Sequence, residues 1–256
     1  MEPRLHPPHA QNWPYPLWIA HRGGGDLAPE NTLAAFRLGA AHGHRMMECD
    51  AKLSADGVVF LLHDDTLERT SNGHGVAGNQ TWAALSQLDA GGWHSPTHAG
   101  EPLPTLANIA RFCQANGLWL NIEIKPTTGL EAETGRAVAL AAQALWADQE
   151  AHWAPLLSSF QPECLASARD AAPALRRGLL VEELWEGWAH TATALGCVAL
   201  VAEHPLWTPS LLETARALGL RALAYTANDD HDVERLLRLG LDGIITDRVE
   251  RFAPKR

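Results

Sequence analysis

Several common signatures are missing from this 256-residue chain. Its four cysteines, Cys49, Cys113, Cys164 and Cys197, form no C-x-x-C pair, which argues against a zinc knuckle. In a chain this long they read as reduced core residues, typical of a cytosolic protein. No segment approaches the ~18 consecutive apolar residues of a membrane span. The start, MEPRLHPPHAQNWPYPLWIA, lacks a basic stretch followed by an apolar run, so no secretory signal is expected. Positive charge is scarce: 20 Lys and Arg against 30 Asp and Glu give a formal charge of −10. Such a chain has no general attraction for nucleic acid or anionic lipid. Any phosphate it handles must be met by a few local cations or a metal. The strand-end run Gly23-Gly24-Gly25 lacks the G-x-G-x-x-G spacing, and G-x-x-x-x-G-K-[ST] and G-x-S-x-G are absent, which argues against the dinucleotide, P-loop and nucleophile-elbow readings. The expectation is a soluble cytoplasmic protein.

What is present is alternation. Strand-like runs at 17–20, 45–50, 58–63, 118–124, 155–160, 177–181, 197–202, 221–226 and 242–246 alternate with helical patterns at 31–42, 105–116, 130–147, 162–172, 186–195, 208–219 and 229–239. Alternating β and α units mean parallel strands covered by helices, and the closed form at this length is the eight-stranded (β/α)8 TIM barrel. There are nine strand candidates, one more than a barrel holds. A single domain over 1–256 is expected, with residues 1–16 a Pro-rich extended arm. The polar stretch 65–104 holds six glycines and interrupts the alternation, as functional loops or lids do.

In a parallel barrel the working groups sit at the C-terminal ends of strands. The first four strand-like runs end in His21-Arg22, Glu48-Cys49-Asp50, His63-Asp64 and Glu123-Ile124-Lys125. Side chains at i and i+2 share a strand face, so Glu48 pairs with Asp50 and Glu123 with Lys125. Three carboxylates converging at one mouth need a cation, and an all-oxygen set suits one Mg²⁺ or Ca²⁺. The plainer alternative is a set of salt bridges to Arg45, Lys52 and Lys125. Two histidines at equivalent strand ends, His21 and His63, form a candidate acid–base pair. Arg22 and Lys125 are the adjacent cations suited to phosphate. Only 12 residues separate Asp50 from His63. If both lie at the same rim, there is no room for a helix, and the chain must descend over 51–56, turn at Ala55-Asp56-Gly57 and climb again over 58–63.

The ordered set His21-Arg22-Gly23, Pro29-Glu30-Asn31-Thr32, Glu48-x-Asp50, His63-Asp64, Arg69-Thr70, Asn72-Gly73, Pro104-Thr105-Leu106, Glu123-Ile124-Lys125 and Gly243-Ile244-Ile245-Thr246-Asp247 resembles the glycerophosphodiester phosphodiesterase family over about 18–250, especially its compact cytoplasmic bacterial members. The resemblance implies a TIM barrel with a polar insertion after the third strand. It implies a divalent metal on Glu48, Asp50 and Glu123, an acid–base pair of His21 and His63, and phosphate contacts from Arg22 and Lys125. It also implies cleavage of glycerophosphodiesters to sn-glycerol 3-phosphate and an alcohol. Where the family usually has Trp-Thr-x-Asn, this chain has Tyr225-Thr226-Ala227-Asn228, which makes Tyr225 a candidate substrate-binding wall. A lyase stopping at a cyclic phosphate, a carboxylate-pair glycosidase and a silent phosphate-binding barrel are the rivals. Trp82, Trp93, Trp185, Trp188 and Trp207 are candidates for a substrate rim, a contact between copies in a homo-oligomer, or core.

Overall fold

The computed structural model describes residues 13–254. Most of the expected N-terminal arm, residues 1–12, lies outside the described residues. Eight parallel strands close into a barrel: β1 (Trp18–Ala20), β2 (Met46–Leu53), β4 (Trp119–Ile124), β5 (Leu156–Ser159), β6 (Arg176–Val181), β7 (Ala199–Glu203), β8 (Arg221–Tyr225) and β9 (Gly243–Thr246). β1 pairs with both β2 and β9, which shuts the seam. The outer layer is α1 (Leu33–Ala41), α3 (Leu106–Ala115), α4 (Glu131–Leu145), α5 (Pro162–Ala171), α6 (Trp188–Ala194), α7 (Pro209–Ala217) and α8 (Asp230–Leu239). The (β/α)8 expectation is met. Among the described residues no helix is long and apolar enough to cross a membrane.

Local chemistry sets the helix boundaries. Thr32 Oγ1 accepts from Ala35 N at 3.3 Å to start α1, and Thr105 with Asn108 forms a reciprocal capping box on α3. These satisfy N–H groups the helix itself cannot. α8 stops at Gly240, whose φ of 79° is left-handed, a conformation glycine adopts without a Cβ penalty.

The two faces of β2 show how the barrel aims its chemistry. Met47, Cys49, Ala51 and Leu53 point outward into the layer under α3 and α4. Met46 points inward, packing with Ile19, Leu156, Val201, Leu223 and Ile245. By the strand's two-residue period, Glu48, Asp50 and Lys52 follow Met46 on the inner face. β4 repeats the pattern, with Leu120, Ile122 and Ile124 outward and Trp119 inward. Each fully buried aliphatic side chain stabilises the fold by roughly 1.5–3 kcal/mol, so the outward residues hold the register that places Asp50 opposite Glu123.

One expectation is overturned. The third strand in chain order, β3 (Val59–Leu61), is not a barrel stave. It runs antiparallel to β2, pairing Leu53 with Val59 and Ala51 with Leu61. Nor does the chain descend over 51–56: β2 continues outward as far as Leu53, and a turn at 54–58 sends the chain back, with Ser54 N bonding Val58 O at 3.0 Å. A hairpin needs only a few residues, whereas a parallel crossover needs about a dozen or more. Leu62 N bonds Asp50 O at 3.0 Å, so the returning strand delivers His63 to the level of the acidic residues from the solvent side.

Residues 65–104 then cross the mouth with one short α-helix, α2 (Trp82–Leu85), and two 3-10 turns, Ala77–Asn79 and Pro96–His98. They carry their own apolar cluster of Leu67, Ala77, Leu85, Ala90 and Leu103 on Phe60 and Leu62 of the hairpin. Of the tryptophans singled out above, Trp207 is core, while Trp93 and Trp185 are exposed.

Candidate active site

Glu48 and Asp50 from β2 and Glu123 from β4 each bring one oxygen within 4.8 Å of the others. Glu48 and Asp50 are fully buried. Glu48 Oε2 accepts from Arg22 N at 2.9 Å, while Oε1 is buried with no hydrogen-bond donor among the described residues. Burial, then Asp50 and Glu123, push the Glu48 carboxyl well above the usual range. Burial and Asp50 likewise push Glu123 up to about 7. Asp50 goes the other way. Burial would raise it, but Arg22, His63, Lys125 and the Asn31 hydrogen bond together hold it below its ordinary value.

Three acids held together against their mutual repulsion, one with an orphaned oxygen, make a donor set that fits a hard divalent cation. The salt-bridge alternative is met only by Lys125, whose Nζ lies 3.1 Å from Glu123 and 3.9 Å from Asp50. Lys52 turns instead to Asp65 at 2.7 Å. Among the described residues, Arg45 makes no ion pair with the three acids.

Both histidines are brought to this cluster. His21 Nδ1 meets Asp247 Oδ1 at 2.6 Å, and its Nε2 lies 3.9 Å from Glu48. His63 Nδ1 meets Asp64 Oδ1 at 2.7 Å, and its Nε2 meets Lys125 Nζ at 2.8 Å. Each ring therefore has a carboxylate behind it, with Nε2 of His21 near Glu48 and Nε2 of His63 on the lysine that pairs with Glu123. A lysine ammonium can only donate. His63 Nε2 is thus an acceptor and the ring proton is on Nδ1. Burial lowers the His63 pKa, consistent with this neutral form.

Arg22 sits at the end of β1 with a left-handed φ of 49°, uncommon for a residue with a side chain and frequent where function dictates geometry. Its Nη1 donates to Glu30 at 2.8 Å and its Nε lies 3.4 Å from Asp50. Tyr225 sits on the opposite wall. Its ring meets Phe160 edge-on with centroids 5.7 Å apart, and its hydroxyl donates to Val181 O at 3.0 Å. A cleft of about 360 Å³ lined by Glu123, Lys125, Glu131, Ser159, Phe160 and Glu182, among others, opens beside the cluster.

Some site residues had no assigned part in the sequence reading. Asn31 stands in the sequence only as part of the Pro29-Glu30-Asn31-Thr32 motif. Its side chain in fact grips Asp50 at two points, Nδ2 to Oδ2 at 2.7 Å and Oδ1 from Asp50 N at 3.0 Å, from a left-handed φ of 60°. Asp247 and Asn228 were recognised within motifs without roles. Asn228 Nδ2 donates to Asp247 Oδ2 at 2.8 Å. Asp64, which follows His63 in the His63-Asp64 motif, is the partner of that ring.

Fold and site together define a (β/α)8-barrel enzyme that gathers two histidines, two cationic side chains and a carboxylate cluster at the C-terminal mouth. The family model for the glycerophosphoryl diester phosphodiesterase family matches residues 21–251, and the chain belongs to that family of phosphoric diester hydrolases. A glycerophosphodiester phosphodiesterase of Caldanaerobacter subterraneus subsp. tengcongensis is 34% identical, covering 91% of this chain and 95% of that one. Another from Bacillus subtilis is 26% identical, covering 92% and 85%. The structure of an Oleispira antarctica phosphodiesterase in complex with the product sn-glycerol-3-phosphate superposes with a TM-score of 0.84 at 34% identity, covering 93% of this chain and 95% of that one.

Proposed function

We propose that this chain hydrolyses glycerophosphodiesters to sn-glycerol 3-phosphate and an alcohol, with His21 and His63 as the acid–base pair. The observation that carries the reading is the matched pair of rings, each backed by a carboxylate on Nδ1, with His21 Nε2 3.9 Å from Glu48 and His63 Nε2 on Lys125 Nζ, which itself pairs with Glu123 and Asp50. Glu48, Asp50 and Glu123 would hold one divalent cation, Mg²⁺ or Ca²⁺, which supplies charge neutralisation at the phosphoryl oxygens. Arg22 and Lys125 supply the protein's own cations there, aimed at charge that grows as the diester is attacked. His63, neutral with its ring proton on Nδ1, takes the proton of the attacking hydroxyl on Nε2 once Lys125 Nζ turns from that lone pair to the phosphate, and His21 protonates the departing alkoxide. The family resemblance makes the glycerol 2-hydroxyl the nucleophile, expelling the alcohol and leaving a cyclic phosphate. Water then adds across one P–O bond of the ring to give sn-glycerol 3-phosphate. The cleft beside Glu123 and Phe160 has room for the alcohol. The four free cysteines support a reducing, cytoplasmic setting.

The test is release of glycerol 3-phosphate from several headgroups, with and without EDTA, by wild type, His21→Ala and His63→Ala. Each variant is expected to lose about 10²–10⁴-fold in turnover while staying folded, and EDTA to abolish activity until a divalent cation is restored. Phosphorus NMR separates the lyase, whose cyclic product would accumulate. Undiminished activity in EDTA and in both variants would overturn the reading.

A further inference from the structure

Arg69 lies in the segment that crosses the mouth and touches none of the three acids, yet its guanidinium is clasped by two other carboxylates at once. Nη1 and Nη2 donate to Glu30 Oε2 and Oε1 at 2.7 and 2.8 Å. Nε and Nη2 donate to Asp64 Oδ2 and Oδ1 at 2.6 and 2.8 Å. Each carboxylate also serves the site. Asp64 Oδ1 takes the Nδ1 proton of His63, and Glu30 Oε1 takes Nη1 of Arg22 at 2.8 Å. One planar fork therefore joins the imidazole to the phosphate-facing arginine.

We propose that Arg69 is a positioning residue for the phosphodiesterase reaction, setting the His63 ring through Asp64 and freeing the Arg22 fork through Glu30. The proposal rests on the roles given to His63 and Arg22 above. A carboxylate gripped at both oxygens by a rigid guanidinium cannot rotate about its own axis. Asp64 thus presents the same oxygen to Nδ1 at every turnover, fixing the tautomer that leaves the Nε2 lone pair facing the site. Arg69 also holds Asp64 ionised, well below the usual carboxylate range, so that Asp64 accepts rather than donates. At Glu30 the action is competitive. Arg69 occupies both oxygens, so Glu30 takes only one nitrogen of Arg22. Without Arg69, Glu30 is free to take two, turning the Arg22 fork away from phosphate. The two effects separate kinetically, since ring orientation governs kcat and phosphate capture governs KM.

The experiment is a double-mutant cycle. Arg69→Met is made in wild type and in His63→Ala, with kcat, KM and Tm measured for all four proteins on a glycerophosphodiester in saturating Mg²⁺. In the wild-type background, kcat is expected to fall about 10–100-fold, the range typical of orienting partners, with KM raised several-fold and Tm little changed. In the His63→Ala background kcat is expected to fall no further while KM still rises. Should Arg69→Met not fold, Arg69→Lys takes its place in the cycle. An ammonium keeps the charge but cannot hold two carboxylates in plane, so the same pattern is expected in weaker form. Wild-type kcat and KM in the Arg69 variant of a protein that His63→Ala cripples would overturn the proposal alone. A kcat loss of equal size in both backgrounds would overturn it too, as general structural damage. Near-normal turnover in His63→Ala by itself would overturn the acid–base reading, and this proposal with it.

Discussion

His21 and Asp247 stand 226 positions apart in the chain and 2.6 Å apart across the seam of the barrel. The register of β1 on β9 sets Ala20 beside Thr246, so the residue following each strand is placed next to its counterpart. Gly25, at a φ of 55°, lets the loop after β1 lie against the Asp247 carbonyl, where any Cβ would collide. Asn228 accepts from Asp247 N at 2.9 Å and donates to its Oδ2 at 2.8 Å. Closing the barrel and building the His21 dyad are therefore the same structural act.

Asp247→Asn tests the dyad. The amide keeps the shape but offers His21 Nδ1 either a neutral acceptor or an N–H donor, and the donor forces the ring proton onto Nε2. Turnover is expected to fall about 10–100-fold, as for other residues that orient a functional imidazole, with KM and Tm nearly unchanged. Steady-state kinetics alongside a thermal melt decides it. An unchanged kcat would mean that the carboxylate serves only the seam.

Tyr225 gives a contrasting expectation. Its hydroxyl is committed to Val181 O, and its pKa is pushed up by burial and by Glu203, Glu182 and Glu123, so the oxygen is not expected to contact substrate. Tyr225→Phe is expected to cost about 1 kcal/mol of stability from the lost hydrogen bond, lowering Tm by roughly 2–4 °C. kcat/KM should stay within about threefold of wild type, half an order of magnitude or less on the usual energy scale. A tenfold drop in kcat/KM would show that the hydroxyl contacts substrate.

Much of this site was legible because strand periodicity is local. Glu48, Asp50, Glu123 and Lys125 could be placed on inner faces from two-residue spacing alone. The hairpin was not legible. The run Val58-Val59-Phe60-Leu61-Leu62 is as apolar as a buried parallel strand, because the crossing segment covers it with Leu67, Leu85 and Leu103. The side chains that cover it lie some 5 to 45 residues later in the chain. Asn31 was hidden for another reason. A residue before a helix reads as a cap, and only its left-handed backbone turns the amide onto Asp50. Asp247 had a visible motif, but its partner lies at the other end of the chain.

The three acids predict how stability depends on pH and on cations. Glu123 holds its proton more tightly folded, at about 7, than its unperturbed value of 4.5 allows, and Glu48 is raised in the same sense. Groups raised on folding stabilise the native state fully below their unfolded pKa, and that contribution is lost as pH climbs through the folded pKa. Metal-free protein in EDTA is therefore expected to lose Tm between about pH 4.5 and 7. Asp50, lowered below 3.8, runs oppositely, and its contribution fades only as pH falls beneath that value. A divalent cation competes with the protons for the same oxygens, so it binds best where the acids are ionised. At a hundredfold excess over Kd it adds ~2.7 kcal/mol. Mg²⁺ or Ca²⁺ should thus raise Tm strongly at pH 8 and little at pH 5. Glu48→Gln removes one charge from the cluster, so it is expected to flatten the metal-free decline and to shrink the cation-induced rise together. Melting curves across pH for both proteins, with EDTA and with each cation, check the pair of effects. If wild type shows a flat metal-free profile and no response to either cation at pH 8, the acids neither repel one another as their burial demands nor share an ion.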